Sequence, residues 1–286
     1  MKRKRIVLAA VLLALFSATA QAGALKLRVM SFNIRCLNGD DAPENQWKER
    51  IPRLMSYVLK TDPDLFGMQE VTPQQLADVK AYTSAYGCLS AGRDNGSDAG
   101  ESTPIFYRKD KYRLIDSGHF WLSKTPEKPS IGWKAACLRI AQWALLEDIK
   151  SGRRLIYCNT HFDHISVEAR KQSAKLLKDR LRQIAPDVPF ILSADFNTNE
   201  KEETYPLLIN HSYPCVDTWK AAKKAKGGPA TWNEWGKAPN TPDNKIDFIF
   251  TSENVKVKRA VIASPTDKED RFLSDHNAIW TDIKIK

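Results

Sequence analysis

Six times along this 286-residue chain, an apolar run breaks off into a polar cluster carrying a carboxylate, amide or imidazole. Four such stretches are Val29-Met-Ser-Phe-Asn33, Leu65-Phe-Gly-Met-Gln-Glu70, Tyr157-Cys-Asn-Thr-His161 and Ile191-Leu-Ser-Ala-Asp-Phe-Asn197. Lys245-Ile-Asp247 and Leu273-Ser-Asp-His276 complete the series. Short runs rich in β-branched and large apolar residues, bounded by turn formers, read as buried strands. Strands are therefore expected at 27–34, 65–69, 105–107, 141–148, 155–160, 190–194, 246–251 and 279–285. Apolar residues at helical spacing predict helices over 47–59 and 167–184, and 94–102 and 225–244 read as surface loops. Some strands follow one another closely and others are separated by helices. That spacing points to mixed sheets covered by helices rather than a wholly parallel sheet.

The first 22 residues stand apart. A basic start, Met1-Lys-Arg-Lys-Arg5, leads into an apolar run that ends in small residues at Ala20-Gln-Ala22. The run is about 15 residues, short of the roughly 20 that cross a bilayer as a helix. Residues 1–22 are thus expected to be a signal peptide and 23–286 the catalytic domain, exported to the periplasm or the exterior. No cysteine lies at the cleavage point, so no stable membrane anchor is expected. Losing Lys2, Arg3, Lys4 and Arg5 lowers the formal charge from +10 to +6, a weak field compatible with anionic substrates. The five cysteines form no CxxC pair, which argues against a zinc site of that kind. Their odd number leaves at least one thiol free, and Cys158, in an apolar run, reads as buried.

Asn, Asp and Ser often end strands simply because their side chains bond nearby backbone. Six such ends together, mostly oxygen donors plus two histidines, suggest instead a site built on rigid strands. Oxygen donors suit Mg²⁺ or Mn²⁺, with Ca²⁺ a further candidate, and no histidine cluster points to zinc.

In this order, the clusters resemble the endonuclease/exonuclease/phosphatase family, the deoxyribonuclease I-like superfamily, over nearly the whole of residues 27–285. Ser193-Ala-Asp-Phe-Asn197 is similar to the family's Gly-Asp-Phe-Asn motif, with Ala194 in place of glycine, and Ser274-Asp-His276 matches its Ser-Asp-His signature. Gly92-Arg-Asp94, Gly100-Glu101, Pro104-Ile-Phe-Tyr107, Phe120-Trp-Leu-Ser123 and Thr160-His-Phe-Asp-His164 resemble a bacterial secreted subgroup. The resemblance implies an α/β (α+β) fold, a four-layer αββα sandwich of two mixed sheets packed face to face with helices outside. It also implies a metal-dependent phosphoric ester hydrolase, first of all a phosphodiesterase.

By the same resemblance, Glu70 is the principal metal ligand, with Asn33 and Asp275 close to the metal. His276 is the general base, oriented by Asp247. Asp195 and Asn197 orient water and contact the phosphate, or bind a second metal. His161 bonds the phosphate and is a candidate to protonate the leaving group; Glu101 stands where a carboxylate partner for it is expected. Arg139 matches a phosphate-binding arginine. His164 either lines the pocket or, with Asp163, caps the following helix.

The substrate class stays open. A nuclease of DNA or RNA and a sugar or inositol phosphatase are the alternatives, although the lysines form no stripe tracking several phosphates. A lipid-docking aromatic hairpin is missing from the sequence. Trp232 and Trp235 are candidates for a substrate wall. An inactive binding module on the same fold is the non-enzyme alternative, and the full complement of polar residues argues against it. A monomer is expected.

Overall fold

The computed structural model describes residues 23–264, 266 and 271–286; the expected signal peptide lies outside them. Along the chain run β1 (Leu25–Asn33), α1 (Trp47–Thr61), β2 (Leu65–Gln69), α2 (Pro73–Tyr82), β3 (Tyr86–Leu89), β4 (Ile105–Arg108) and β5 (Tyr112–Trp121). Then come β6 (Ile140–Asp148), β7 (Arg154–His161), α3 (Val167–Ile184), β8 (Phe190–Asp195), α4 (Thr204–Asn210), β9 (Cys215–Asp217) and α5 (Thr218–Ala221). β10 (Lys224–Gly227), β11 (Asp247–Ser252), β12 (Val255–Ala263) and β13 (Ala278–Ile285) complete the order. The expected strands and both expected helices are present. β3, β5, β9, β10, β12, α2, α4 and α5 are additional, and β10 takes the start of the expected 225–244 loop.

The strands form a seven-stranded sheet in the order β10-β12-β13-β1-β2-β4-β3 and a six-stranded sheet in the order β5-β6-β7-β8-β11-β9. Each mixes parallel pairs, such as β1 with β2 and β7 with β8, with antiparallel ones. The period of two sorts β1 into two faces. Leu25, Leu27 and Val29 point inward to Tyr157, Ile191 and Ile249 of the other sheet. Met30, Phe32 and Ile34 point outward to Trp47, Leu54, Met55 and Val58 of α1. On the far side, Leu177 and Leu181 of α3 and Leu208 of α4 cover Phe190, Leu192 and Phe250. The result is the expected four-layer sandwich.

Near one end the filling between the sheets turns from apolar to polar. Asn159 donates to the carbonyls of Met68 and Pro104 at 2.8 and 3.1 Å, and accepts from Gln69 and Ser193 at 2.7 and 3.0 Å. Gly67 is what admits it: a Cβ there would fall 2.4 Å from Asn159 Cγ. A buried amide with its hydrogen bonds satisfied is stable, and it fixes how the two sheets meet beneath the polar strand ends. All five cysteines are free thiols, and burial pushes that of Cys158 up.

Candidate active site

Strand direction alone gathers the polar ends. β1, β2, β7 and β8 deliver their C-terminal ends to one edge of the sandwich, whereas β11 and β13 run antiparallel and begin there. In register, Asp195 lies beside His161 on one side and Asp247 on the other. Asn33 closes the circle from the other sheet, donating to Glu70 Oε1 at 3.0 Å and Asp195 Oδ2 at 2.9 Å. Three residues here, Arg35, Glu70 and Asn197, hold positive φ angles of 59°, 62° and 48°. Left-handed backbone is unfavourable for Arg and Glu and is kept where the surroundings enforce it, commonly at functional sites.

Single ligand atoms of Glu70, Asp195 and His276 all lie within 4.8 Å of one another. Burial would raise Glu70, but the Asn33 side-chain amide, the charge of His276, the Cys36 backbone N–H and the charge of Arg35 outweigh it and hold the carboxyl below its ordinary range. Asp195 is pushed up to about 7 by burial and then by Asp247. The His276 imidazole would be lowered by burial, but Asp247 and Asp195 outweigh that and hold it well above an ordinary histidine. Its Nδ1 lies 2.9 Å from Asp247 Oδ2, and its Nε2 faces Asp195 at 3.7 Å. A concentration of buried carboxylates with this charge conflict fits a divalent cation, and Glu70 and Asp195 supply the hard oxygens it prefers.

The other expected ligands are placed differently. Asn33 turns its nitrogen to the two carboxylates and so bridges them, and its oxygen accepts from the Arg35 backbone at 3.0 Å. Asn197 donates to His161 Nε2 and to the Phe162 carbonyl, both at 3.0 Å. Asp275 lines the cavity wall, 3.9 Å from Arg35 Nε, and burial raises its pKa.

Glu101 corrects the expected pairing. Its carboxylate meets Arg93 Nη1 at 2.8 Å, and no hydrogen bond joins it to His161 among the described residues. His161 Nε2 has Asn197 at 3.0 Å, and the carboxylate that faces it is Asp195 at 3.4 Å; burial and the charge of Arg139 hold its imidazole well below the usual histidine range. Arg139 is buried in the cavity wall, with Nη2 3.0 Å from His164 Nδ1.

These groups line a cavity of about 610 Å³, together with Arg35, Arg93 and Trp232. Arg35 and Arg93 had no assigned role in the sequence, although Arg93 sits in the Gly92-Arg-Asp94 motif. Trp232 walls the cavity as expected, its backbone bridged to His276. Trp235 stacks instead on Arg50, centroid distance 5.3 Å. Arg50 is fully buried, and that burial lowers its pKa to about 10. It donates to the carbonyls of Ile34 and Leu273 at 2.7 and 2.9 Å, tying the segment after Asn33 to the one before Asp275.

A profile of the Endonuclease/Exonuclease/phosphatase family matches residues 30–276. The chain belongs to this family. Among solved members, the endonuclease/exonuclease/phosphatase from Bacteroides vulgatus is 36% identical with a TM-score of 0.87, covering 92% of this chain and 100% of its own. The mannosyl-6-phosphatase of Bacteroides thetaiotaomicron is 33% identical with a TM-score of 0.85, covering 90% and 99% respectively. Nocturnin of Xenopus laevis is 24% identical over 296 residues, covering 90% of this chain and 72% of that protein. Enzymes of the endonuclease/exonuclease/phosphatase family hydrolyse phosphate esters with divalent metals, and the Glu70, Asp195 and His276 group is where this chain can do so.

Proposed function

We propose that this protein is an exported hydrolase using Mg²⁺ or Mn²⁺, and that its substrate is a small phosphate monoester of a sugar-like alcohol. The observation that carries the reading is one cavity of about 610 Å³ holding both the Glu70, Asp195 and His276 group and three arginines, Arg35, Arg93 and Arg139. A nuclease tracks successive phosphates along a basic groove. Here the three arginines line one cavity rather than a groove, and its volume is that of a small-ligand site. A monoester carries a charge more than a diester, so this grouping favours the phosphatase alternative over the diesterase expected first. The 33% identical mannosyl-6-phosphatase supports the same choice. Export rests on residues 1–22.

Glu70 and Asp195 would hold the cation, which supplies charge neutralisation on the phosphoryl oxygens. Asp247 fixes Nδ1 of His276, so Nε2, once a bound cation has offset the Asp195 charge that keeps it protonated, would be the atom that takes the proton of the attacking water. His161, kept neutral, is held at Nε2 between the Asn197 amide at 3.0 Å and the Asp195 carboxylate at 3.4 Å. A neutral imidazole serves better as a hydrogen-bond donor to the phosphoryl group than as a proton source for the leaving oxygen. Arg139 and Arg93 neutralise the remaining phosphate charge.

The test is a panel with Mg²⁺ or Mn²⁺: mannose 6-phosphate and other hexose phosphates, bis-p-nitrophenyl phosphate, sphingomyelin, RNA and DNA. Hexose monophosphates are expected to exceed the diesters in kcat/KM by roughly tenfold or more. Nucleic acid or sphingomyelin as the best substrate would overturn the monoester reading.

A further inference from the structure

His164 follows a buried aspartate whose carboxylate shapes the turn that presents it. Asp163 accepts from the backbones of Ile165, Ser166 and Ala136 at 3.1, 2.7 and 2.9 Å. The cap of α3 belongs to Ser166, which accepts from the Ala169 backbone at 3.1 Å. Neither task falls to the imidazole of His164, which is exposed and lines the mouth of the cavity.

Its single hydrogen bond dictates its chemistry. Arg139 Nη2 lies 3.0 Å from His164 Nδ1. A guanidinium only donates, so Nδ1 must accept, and the one ring proton sits on Nε2. The cavity mouth therefore carries an N–H donor, held in place by an arginine that is itself 94% buried, being 6% exposed. On its other side the guanidinium faces the buried Asp163 carboxylate, Nε to Oδ2 at 3.8 Å, so the arginine that holds His164 is itself held by an ion pair.

We propose that His164 is a specificity-determining residue whose Nε2–H donates to a hydroxyl oxygen on the alcohol half of the substrate. This rests on the reading of the protein as a sugar-phosphate phosphatase. The phosphorus must lie over the buried Glu70, Asp195 and His276 group, so the alcohol half extends toward the exposed mouth where His164 stands. Arg139 then touches both halves of the ester, the phosphate directly and the alcohol through His164.

The experiment compares a hexose phosphate with phenyl phosphate, which lacks hydroxyls, in the wild type, His164→Ala and His164→Gln. A lost neutral hydrogen bond lowers the hexose-to-phenyl ratio of kcat/KM by about five- to tenfold in the alanine variant, mainly through KM. Glutamine, whose amide nitrogen can stand where Nε2 stood, restores most of the ratio. Equal losses on both substrates would show that His164 merely supports Arg139, and an unchanged ratio would show no contact; either result overturns the proposal. In the intact protein, ¹⁵N shifts of the His164 ring should show a protonated Nε2 and an unprotonated Nδ1 at neutral pH, and the opposite tautomer also overturns it. A wild type inactive on both esters would sink the phosphatase reading itself, while the ring tautomer remains measurable.

Discussion

At the scale of single residues, the site is a set of charges that disagree until a cation arrives. Asp195 is pushed up to about 7, and His276 sits well above its ordinary 6.5. Both therefore hold protons in the folded state that the unfolded chain has shed. The stability His276 contributes is complete below its unfolded value and is lost as pH rises through its raised one. The raised Asp195 works in the same direction, losing stability as pH rises toward about 7 and through it. The lowered His161 acts oppositely, but only below 6.5. Between pH 6.5 and 8.5 the chelated protein should therefore lose thermal stability, by about 2–4 °C in Tm for each kcal/mol. With Mg²⁺ the fall should shrink, because the cation replaces those protons. A chelated Tm that rises over this interval contradicts the assignment. His276 with Asp247 was legible because a Ser-Asp-His run and a strand-end aspartate are local signals. That Glu101 pairs with Arg93 could not be read from the sequence, because the path of the 92–102 loop sets it and no spacing encodes that path.

Secondary-structure elements were legible where one face is buried. β2 and β8 are nearly continuous apolar runs, β7 has one over residues 155–158, β1 alternates before turning apolar, and α1 and α3 carry clear apolar stripes. β5 carries no clear pattern because it is an edge strand with a polar stretch at Asp116-Ser117, partly exposed along its middle, and its alternation is broken by a bulge between Leu114 and Asp116. β12 alternates plainly over Val255, Lys256 and Val257 before a bulge shifts its register, and α2 opens on a Thr72–Gln75 capping box. Both signals were present in the sequence. What no pattern reveals is the cross-sheet fit of Gly67 on β2 against Asn159 on β7, because it depends on how two sheets pack. Gly67→Ala places a Cβ 2.4 Å from an amide carbon locked by several hydrogen bonds. Overpacking of this kind costs about 1–3 kcal/mol. Thermal unfolding should show a Tm drop of several degrees, and an unchanged Tm would mean that the two sheets are not held at this fixed separation.

For the whole molecule, the two sheets, the helices that cover them and the gathering of polar strand ends at one edge follow from the order of the elements. The chemistry sits at the seam: Asn33 and Glu70 come from one sheet, Asp195 and His161 from the other, and Asn33 bonds across. Arg50 and Asn159 fix that seam from outside and from within, so the site is as rigid as the sandwich. The sequence left the substrate open because cavity shape depends on loops, and the three arginines of the cavity come from separate ones. The central claim is that Glu70 and His276 serve a metal-dependent hydrolysis at this seam. The most direct measurement is the rate of phosphate release from mannose 6-phosphate as Mg²⁺ is titrated, in the wild type, Glu70→Ala and His276→Ala. Wild-type turnover should saturate with metal and vanish with chelator. Each variant, still folded by circular dichroism, should lose roughly 10²–10⁴ in kcat. Phosphate release that persists in chelator, or in folded Glu70→Ala protein, would contradict the account.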